Sequence, residues 1–327
     1  MYAVIDLGSN SFHLLIAELR DEHFSVIDRC SEKIQLADNL DSSGQLSDAA
    51  ISRGLSCLAQ FKSVLAQHPI GQIKVVGTEA IRRADNARQF IDQAQQLGFT
   101  IEIISGEQEA CWIFDGICGP LPDSNNLRLT IDIGGASTEI ALGSYQRRNR
   151  KKGSYKKESD KKLLLAKSIA LGCVSWRNIY FSPSLDYRHN HQQAKQSAAK
   201  KLASVLDRLS KEHWDEVYAS SGSAKMLSAI SHANNWSDGT ITRQSIDAIE
   251  NMLLEFSSVN EINIPGLKPQ RVDLLAPGLV IMSTIMNTLA IDEIFYSPTA
   301  LREGILADMI NQRVDDQLSP ETLVSNL

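Results

Sequence analysis

Short apolar runs at residues 3–6, 12–18 and 24–36 predict three strands in a meander, the last two separated by the turn Asp21-Glu22-His23. The period then becomes helical. Ser47 is a good N-cap, and Ile51, Leu55, Leu58 and Val64 or Leu65 fall on one face of the helix behind it. A strand over 73–76, a helix over 86–97, a strand over 101–104 and a helix over 107–117 complete the first half. The second half opens the same way, with strands at 129–132, 138–142 and 163–170 and a helix over 192–209. It continues with a strand at 216–219, helices near 224–233, 243–256 and 274–289, a strand at 293–296 and a last helix from Leu301. The order βββαβα in both halves predicts an α/β fold of two duplicated lobes, each a mixed sheet covered by helices, with the ligand in the cleft between them. The expected lobes are residues 1–120 and 127–313, followed by a tail over 314–327, and the turn formers of GPLPDSNN, 119–126, mark the hinge.

The duplication is most explicit in two phrases, IDLGSNSFHLLI from Ile5 and IDIGGASTEIAL from Ile131, related by a constant offset of 126 residues without a gap. Ile5/Ile131, Asp6/Asp132, Gly8/Gly134 and Ser11/Ser137 are identical between them. Each phrase reads as strand, tight turn, strand. A single Asp-x-Gly turn is common in ordinary hairpins, and the second copy is what gives the pattern weight. Glycine and serine in the turn let backbone N–H groups approach phosphate oxygens, and an Asp at the strand end is suited to a hydrated Mg²⁺.

Composition narrows the class. The 327 residues fit two domains, and 43% hydrophobic with 22% charged residues is ordinary for a globular protein. The formal charge of -6 gives no general attraction to nucleic acid or anionic lipid, so no specific nucleic-acid or membrane partner is expected. Five scattered cysteines without C-x-x-C spacing argue against a zinc site or a disulfide framework and for a reducing, cytoplasmic home. The N-terminus reads straight into a strand, with no signal peptide expected. The apolar stretch 274–291, interrupted by Pro277, Gly278 and Asn287, reads as a buried core helix and not a membrane span.

Hydrolysis of a phosphoanhydride needs charge neutralisation, in-line water and a base, and candidates exist for each. The N–H groups around Gly8, Ser9, Asn10 and Ser11, and around Gly134, Gly135, Ala136 and Ser137, are placed to cradle phosphates. Ser221, Gly222 and Ser223 follow the 216–219 strand and read either as a third phosphate turn or as a plain helix cap. Arg82 and its neighbour Arg83 lie past a strand end, where a guanidinium meets a phosphoryl group or simply solvent. Glu107 and Glu109 sit in the first turn of a helix, where carboxylates also serve as caps, and spacing alone leaves the choice open. Asp132 and Glu139 flank one turn and are able to face one hydrated cation, with Asp6 opposite. Cys173 reads as a packing residue, with no helix start legible beside it, and His13 as structural or at the cleft edge. No P-loop phrase is present.

These phrases, with GTEAIRR from Gly77, ISGEQEA from Ile104, LGCVSW from Leu171, SSGSAK from Ser220 and ALREGIL from Ala300, resemble the exopolyphosphatase and guanosine pentaphosphate phosphohydrolase (Ppx/GppA) family of the actin, Hsp70 and sugar-kinase superfamily. The resemblance runs from Tyr2 to Arg313. It implies two ribonuclease-H-like lobes with an interlobe site, Mg²⁺ as cofactor, Glu109 as the residue activating water, Arg82 rather than Arg83 at the phosphoryl group, and Asp132 and Glu139 at the metal. It implies removal of a terminal phosphate from polyphosphate or guanosine pentaphosphate, and leaves a homodimer open. The helical C-terminal domain that longer members add is not expected here.

One segment departs from the family pattern. QRRNRKKGSYKKESDKK, 146–162, carries nine Lys or Arg residues against Glu158 and Asp160. It reads either as a solvated hairpin tip or as a funnel for a long polyanion that favours polyphosphate. Ala136 and the LGCVSW wording lean instead toward the pentaphosphate. A phosphotransferase of the same superfamily and a non-catalytic alarmone-binding sensor remain as alternatives. The first would need an adenosine-binding glycine pair where only Gly222 stands, and the second would have no use for Glu109, Arg82, Asp132 and Glu139 together.

Overall fold

The duplication survives in the backbone register. In the computed structural model, which describes residues 1–317 apart from 21–22, 39, 148–158, 182–186 and 257–260, the first half forms β1 (Tyr2–Leu7), β2 (Ser11–Arg20), β3 (His23–Lys33), α1 (Leu40–Ser43), α2 (Asp48–Leu65), β4 (Gln72–Gly77), α3 (Glu79–Arg83), α4 (Ala87–Gln96), β5 (Ile101–Ile103) and α5 (Gly106–Cys118). The second half forms β6 (Ser124–Ile133), β7 (Thr138–Arg147), β8 (Ser159–Ile169), α6 (Cys173–Tyr180), α7 (Tyr187–Leu209), β9 (Glu216–Ser220), α8 (Ser221–Ala233), β10 (Ile241–Thr242), α9 (Arg243–Leu253), α10 (Val272–Thr288), β11 (Glu293–Tyr296) and α11 (Leu301–Gln317). The sheets run β3-β2-β1-β4-β5 and β10-β11-β9-β6-β7-β8. In each, an antiparallel meander continues into parallel strands, β1 beside β4 and β6 beside β9. These are the two mixed-sheet lobes that the repeat predicts, in the ribonuclease-H-like arrangement that the family resemblance implies. Asp6 pairs with His13 and Asp132 with Glu139, the same register displaced by the sequence offset.

Alternation along β1 explains its layers. Ala3, Ile5 and Leu7 face a core shared with Phe12, Leu58 and Phe90, whereas Tyr2 and Val4 face one shared with α5 and α11. A larger core fills the second half around α10, which is buried from Leu274 to Met286 despite Pro277. Among the described residues no helix is long and apolar enough to cross a membrane.

The helix α11 follows the second sheet in sequence but packs on α5 and β1. The α5–α11 crossing is a backbone contact: a Cβ on Gly116 would lie 1.8 Å from Ala300 O, and one on Gly304 1.8 Å from Trp112 O. Helix α5 also touches β7 and β8, so this crossing joins the two halves.

Three local expectations change. Strand β6 starts at Ser124, inside the segment read as a hinge, because Ser124 pairs with Tyr145 and Leu127 N donates to Asp215 Oδ2 at 2.8 Å. Strand β3 stops at Lys33, since the Ile34 and Gln35 N–H groups turn to Asn10 O. Helix α6 begins at Cys173, where no helix start was legible.

Candidate functional site

Both copies of the repeated turn open onto one cleft of about 570 Å³. Of the residues singled out from sequence, Asp6, Gly8, Ser9, Asn10, Ser11, Glu109, Asp132, Gly134, Gly135, Ser137, Glu139, Ser221, Gly222 and Ser223 line it, as does His13. Ala136 and Arg82 do not. Ala136 is buried with Cys173, Val174 and Leu274 against the first-half core, so only its backbone belongs to the turn. Cys173 lines the cleft at the start of α6, yet burial raises its thiol pKa, which is the behaviour of a packing residue and not of a thiolate.

Helix α5 decides between its two glutamates. Ser105 Oγ accepts from Gln108 N at 3.1 Å and fixes the first turn. Glu107 then points outward to Lys167, and Glu109 points inward and is buried. Glu109 Oε2 is enclosed without a hydrogen bond, 3.5 Å from Arg82 Nη1. Burial, then Glu139, raise its pKa well above the ordinary value, and Arg82 opposes them. The Arg82 guanidinium donates to Ile104 O at 2.6 Å and to Glu79, so it backs Glu109 from behind and is not directed into the cleft. Arg83 lies 3.7 Å from Glu79 on the far side.

The other carboxylates form a buried group. Asp132 accepts from Ser220 Oγ, and burial holds its pKa up at about 6. Glu139 accepts from Ser168 Oγ at 2.6 Å, and burial with the nearby Asp132 lifts it to about 8. Asp6 is raised to about 6 by burial, against the pull of Arg302, and its Oδ1 is enclosed without a hydrogen-bond partner. His13, across from Asp6, is lowered to about 3 by burial and by Arg302 and Arg271, so its ring is neutral. These are hard oxygen donors around an unsatisfied carboxylate oxygen. Among the described residues no group of three or more His, Cys, Asp or Glu is placed to hold a metal ion together. The donor set therefore fits a hydrated Mg²⁺ taken by one or two carboxylates, with water and substrate completing its shell, and not an all-protein cage.

The third turn is a closed structure. Ser221 has φ of 77°, a left-handed conformation unusual for serine. Ser221 Oγ and Ser223 Oγ donate to Ile133 O at 2.7 and 3.0 Å, which ties the start of α8 to the root of the second loop.

Sequence reasoning missed the cations. Arg29, Lys225, Lys268, Arg271 and Arg302 also line the cleft. Neither the Arg271 nor the Arg302 guanidinium makes a hydrogen bond or ion pair to another described residue. Arg302 and Lys225 stand in the ALREGIL and SSGSAK phrases and were within reach of a closer reading; Arg271 and Lys268 carry no local signal. In the basic run 146–162, residues 148–158, with Arg148, Lys151 and Lys152, lie outside the described residues.

Comparison with known proteins agrees with this architecture. The model of the Ppx/GppA phosphatase family matches residues 15–313. A Haemophilus influenzae protein named "Putative exopolyphosphatase" is 37% identical over 305 residues, covering 93% of this chain and 90% of its own. The crystal structure of an exopolyphosphatase from Cytophaga hutchinsonii superposes with a TM-score of 0.81 at 21% identity, covering 95% of this chain and 98% of that one. An Aquifex aeolicus member of the Ppx/GppA family superposes with a TM-score of 0.73 at 22% identity, covering 97% and 99%. At these identities the crystal structures speak for the fold, while the family match and the H. influenzae relative carry descent: the chain belongs to the Ppx/GppA phosphatase family.

Proposed function

We propose that this protein is a Mg²⁺-dependent phosphoanhydride hydrolase that removes the terminal phosphate from inorganic polyphosphate, with water activated by Glu109. The observation that carries the reading is the position of Glu109: a buried carboxylate that lines the cleft walled by both repeated turns while its Oε2 is paired with Arg82 outside that lining. The exopolyphosphatase name of the H. influenzae relative supports the substrate class.

The loop N–H groups around Gly8–Ser11 and Gly134–Ser137 bind the end of the chain, and Arg271, Arg302, Lys225 and Lys268 draw the polyanion in and hold its following phosphates. Glu109 takes a proton from water, and Arg82 keeps that carboxylate oriented and ionisable. Its raised pKa makes it a stronger base once ionised. Asp132, Glu139 and Asp6 are the residues that would hold Mg²⁺, through its waters. Bound there, the ion supplies neutralisation of phosphate-oxygen charge. The neutral His13 imidazole adds no positive charge beside Asp6. The cytoplasm is the compartment where such a chain and reduced cysteines would coexist.

The test is phosphate release from long-chain polyphosphate, guanosine pentaphosphate and ATP, side by side, with Mg²⁺ and with chelator. Mg²⁺-dependent release from polyphosphate is expected. Release from the pentaphosphate alone would transfer the activity to that substrate, and tight binding without release would favour the alarmone sensor.

A further inference from the structure

The two phosphate loops touch each other. A Cβ on Gly135 would lie 3.1 Å from Asn10 N and 3.1 Å from Ser9 Cβ, tighter than ordinary van der Waals contact, so glycine favours this close approach of the second loop to the first. Each loop is held from behind by a different segment. Asn10 O accepts from Ile34 N at 2.9 Å and Gln35 N at 2.8 Å, and Ser9 O accepts from Ala37 N at 3.1 Å. On the other side, Gly134 O accepts from Cys173 N at 2.9 Å and Gly135 O from Val174 N at 2.8 Å, at the start of α6.

These supports are themselves joined. Arg177 on α6 donates through one arm to the Asp38 carboxylate and through the other, at 2.7 Å, to Asp273 Oδ2 on α10. Beside it, Asn178 Nδ2 donates to Asp38 O at 2.6 Å. The Arg177 side chain is 15% exposed, while Asp38 and Asp273 are 29% and 34% exposed, so both charge pairs are partly screened by solvent. A planar, two-armed guanidinium reaches both carboxylates at once, which a point charge on a flexible stem does poorly.

The direct contact between the loops is glycine against backbone, and Ala136 of the second loop adds packing on the first-half core; such packing is non-directional, whereas a two-armed charge pair is not. A phosphate chain gripped from both sides needs that spacing fixed, since a displacement of about 1 Å can cost on the order of 100-fold in rate. We propose that Arg177 is a positioning residue: by tying segment 34–38 to α6 it sets the separation of the two phosphate loops. The consequence for turnover rests on the hydrolase reading above, whereas the consequence for spacing does not.

Spin labels at the exposed Gln89 on α4 and Lys200 on α7, introduced as a non-natural amino acid so that the native cysteines stay in place, report the spacing by pulsed dipolar spectroscopy. In the full chain one narrow distance distribution is expected. Arg177→Met and Asp38→Asn should each lengthen and broaden it, Arg177→Lys should fall between, and the double variant should be no worse than either single one, because the pair acts as a unit. The kcat/KM for polyphosphate should fall by about tenfold in both single variants. Unchanged distributions in Asp38→Asn, and in Arg177→Met if that variant folds, would overturn the proposal. If wild type released no phosphate from any substrate the hydrolase reading would fall, and the distances would still decide whether Arg177 sets the loop separation.

Discussion

At the scale of single residues, the site is organised by which cation faces which carboxylate. Arg82 acts on Glu109 and Glu139, and Arg302 on Asp6 and Asp132. Arg82 lowers the Glu109 pKa, so removing its charge leaves burial and Glu139 unopposed and the pKa rises further. Arg82→Met should therefore shift the acid limb of the kcat/KM profile for polyphosphate to higher pH and reduce the rate at neutral pH. An acid limb that stays in place would mean that Glu109 does not control it. Much of this grouping was legible in sequence, because the repeat itself aligns Asp6 with Asp132 and His13 with Glu139. The separation of Glu109 from Glu107 was not: both sit in a helix's first turn, and only the cap geometry at Ser105 shows which faces in. Arg271 was illegible for another reason, since α10 brings it to the cleft from a long way along the chain.

At the scale of elements, strong periodicity was readable and cap chemistry less so. The helix behind Ser47 was clear because cap and apolar face agree, and Ser47 does accept from Ala50 N. Helix α6 was hidden because Gly172 makes no side-chain cap, and its start is held by the Gly134–Gly135 turn. The α5–α11 crossing depends on glycines that looked incidental. Gly→Ala within a helix ordinarily stabilises by about 1 kcal/mol. At Gly304 the new methyl would stand 1.8 Å from Trp112 O, and overpacking of that kind costs ~1–3 kcal/mol or more, so the clash wins. Gly304→Ala should lower the unfolding midpoint in a thermal melt, and a midpoint that rises would show that the helices part at no cost.

At the scale of the whole molecule, the two sheets meet around a pool of buried acid that shapes stability. Asp6 and Asp132 go from a usual 3.8 to about 6 and Glu139 from 4.5 to about 8. These three carboxylates thus bind more protons in the folded protein than in the unfolded chain between roughly pH 4 and 8; His13, lowered from 6.5 to about 3, opposes them only below its unfolded value, so stability falls as pH rises through the upper part of that window. In chelator, the melting temperature should drop from pH 5 to pH 8; Mg²⁺ should raise it more at pH 8, because the ion needs ionised carboxylates. A melting temperature that climbed with pH in chelator would contradict the burial of these groups. The two-lobed plan was legible because a gapless repeat sets strand order twice, whereas the return of α11 to the first sheet leaves no periodic trace. The proposed reaction, polyphosphate hydrolysis with Glu109 as base, stands or falls on that one carboxylate. Its most direct test is the Glu109→Gln variant beside wild type, with phosphate release and polyphosphate affinity measured on the same samples. With Glu109 as base, kcat should fall by about 100-fold or more with affinity retained, and a kcat close to wild type would rule that role out.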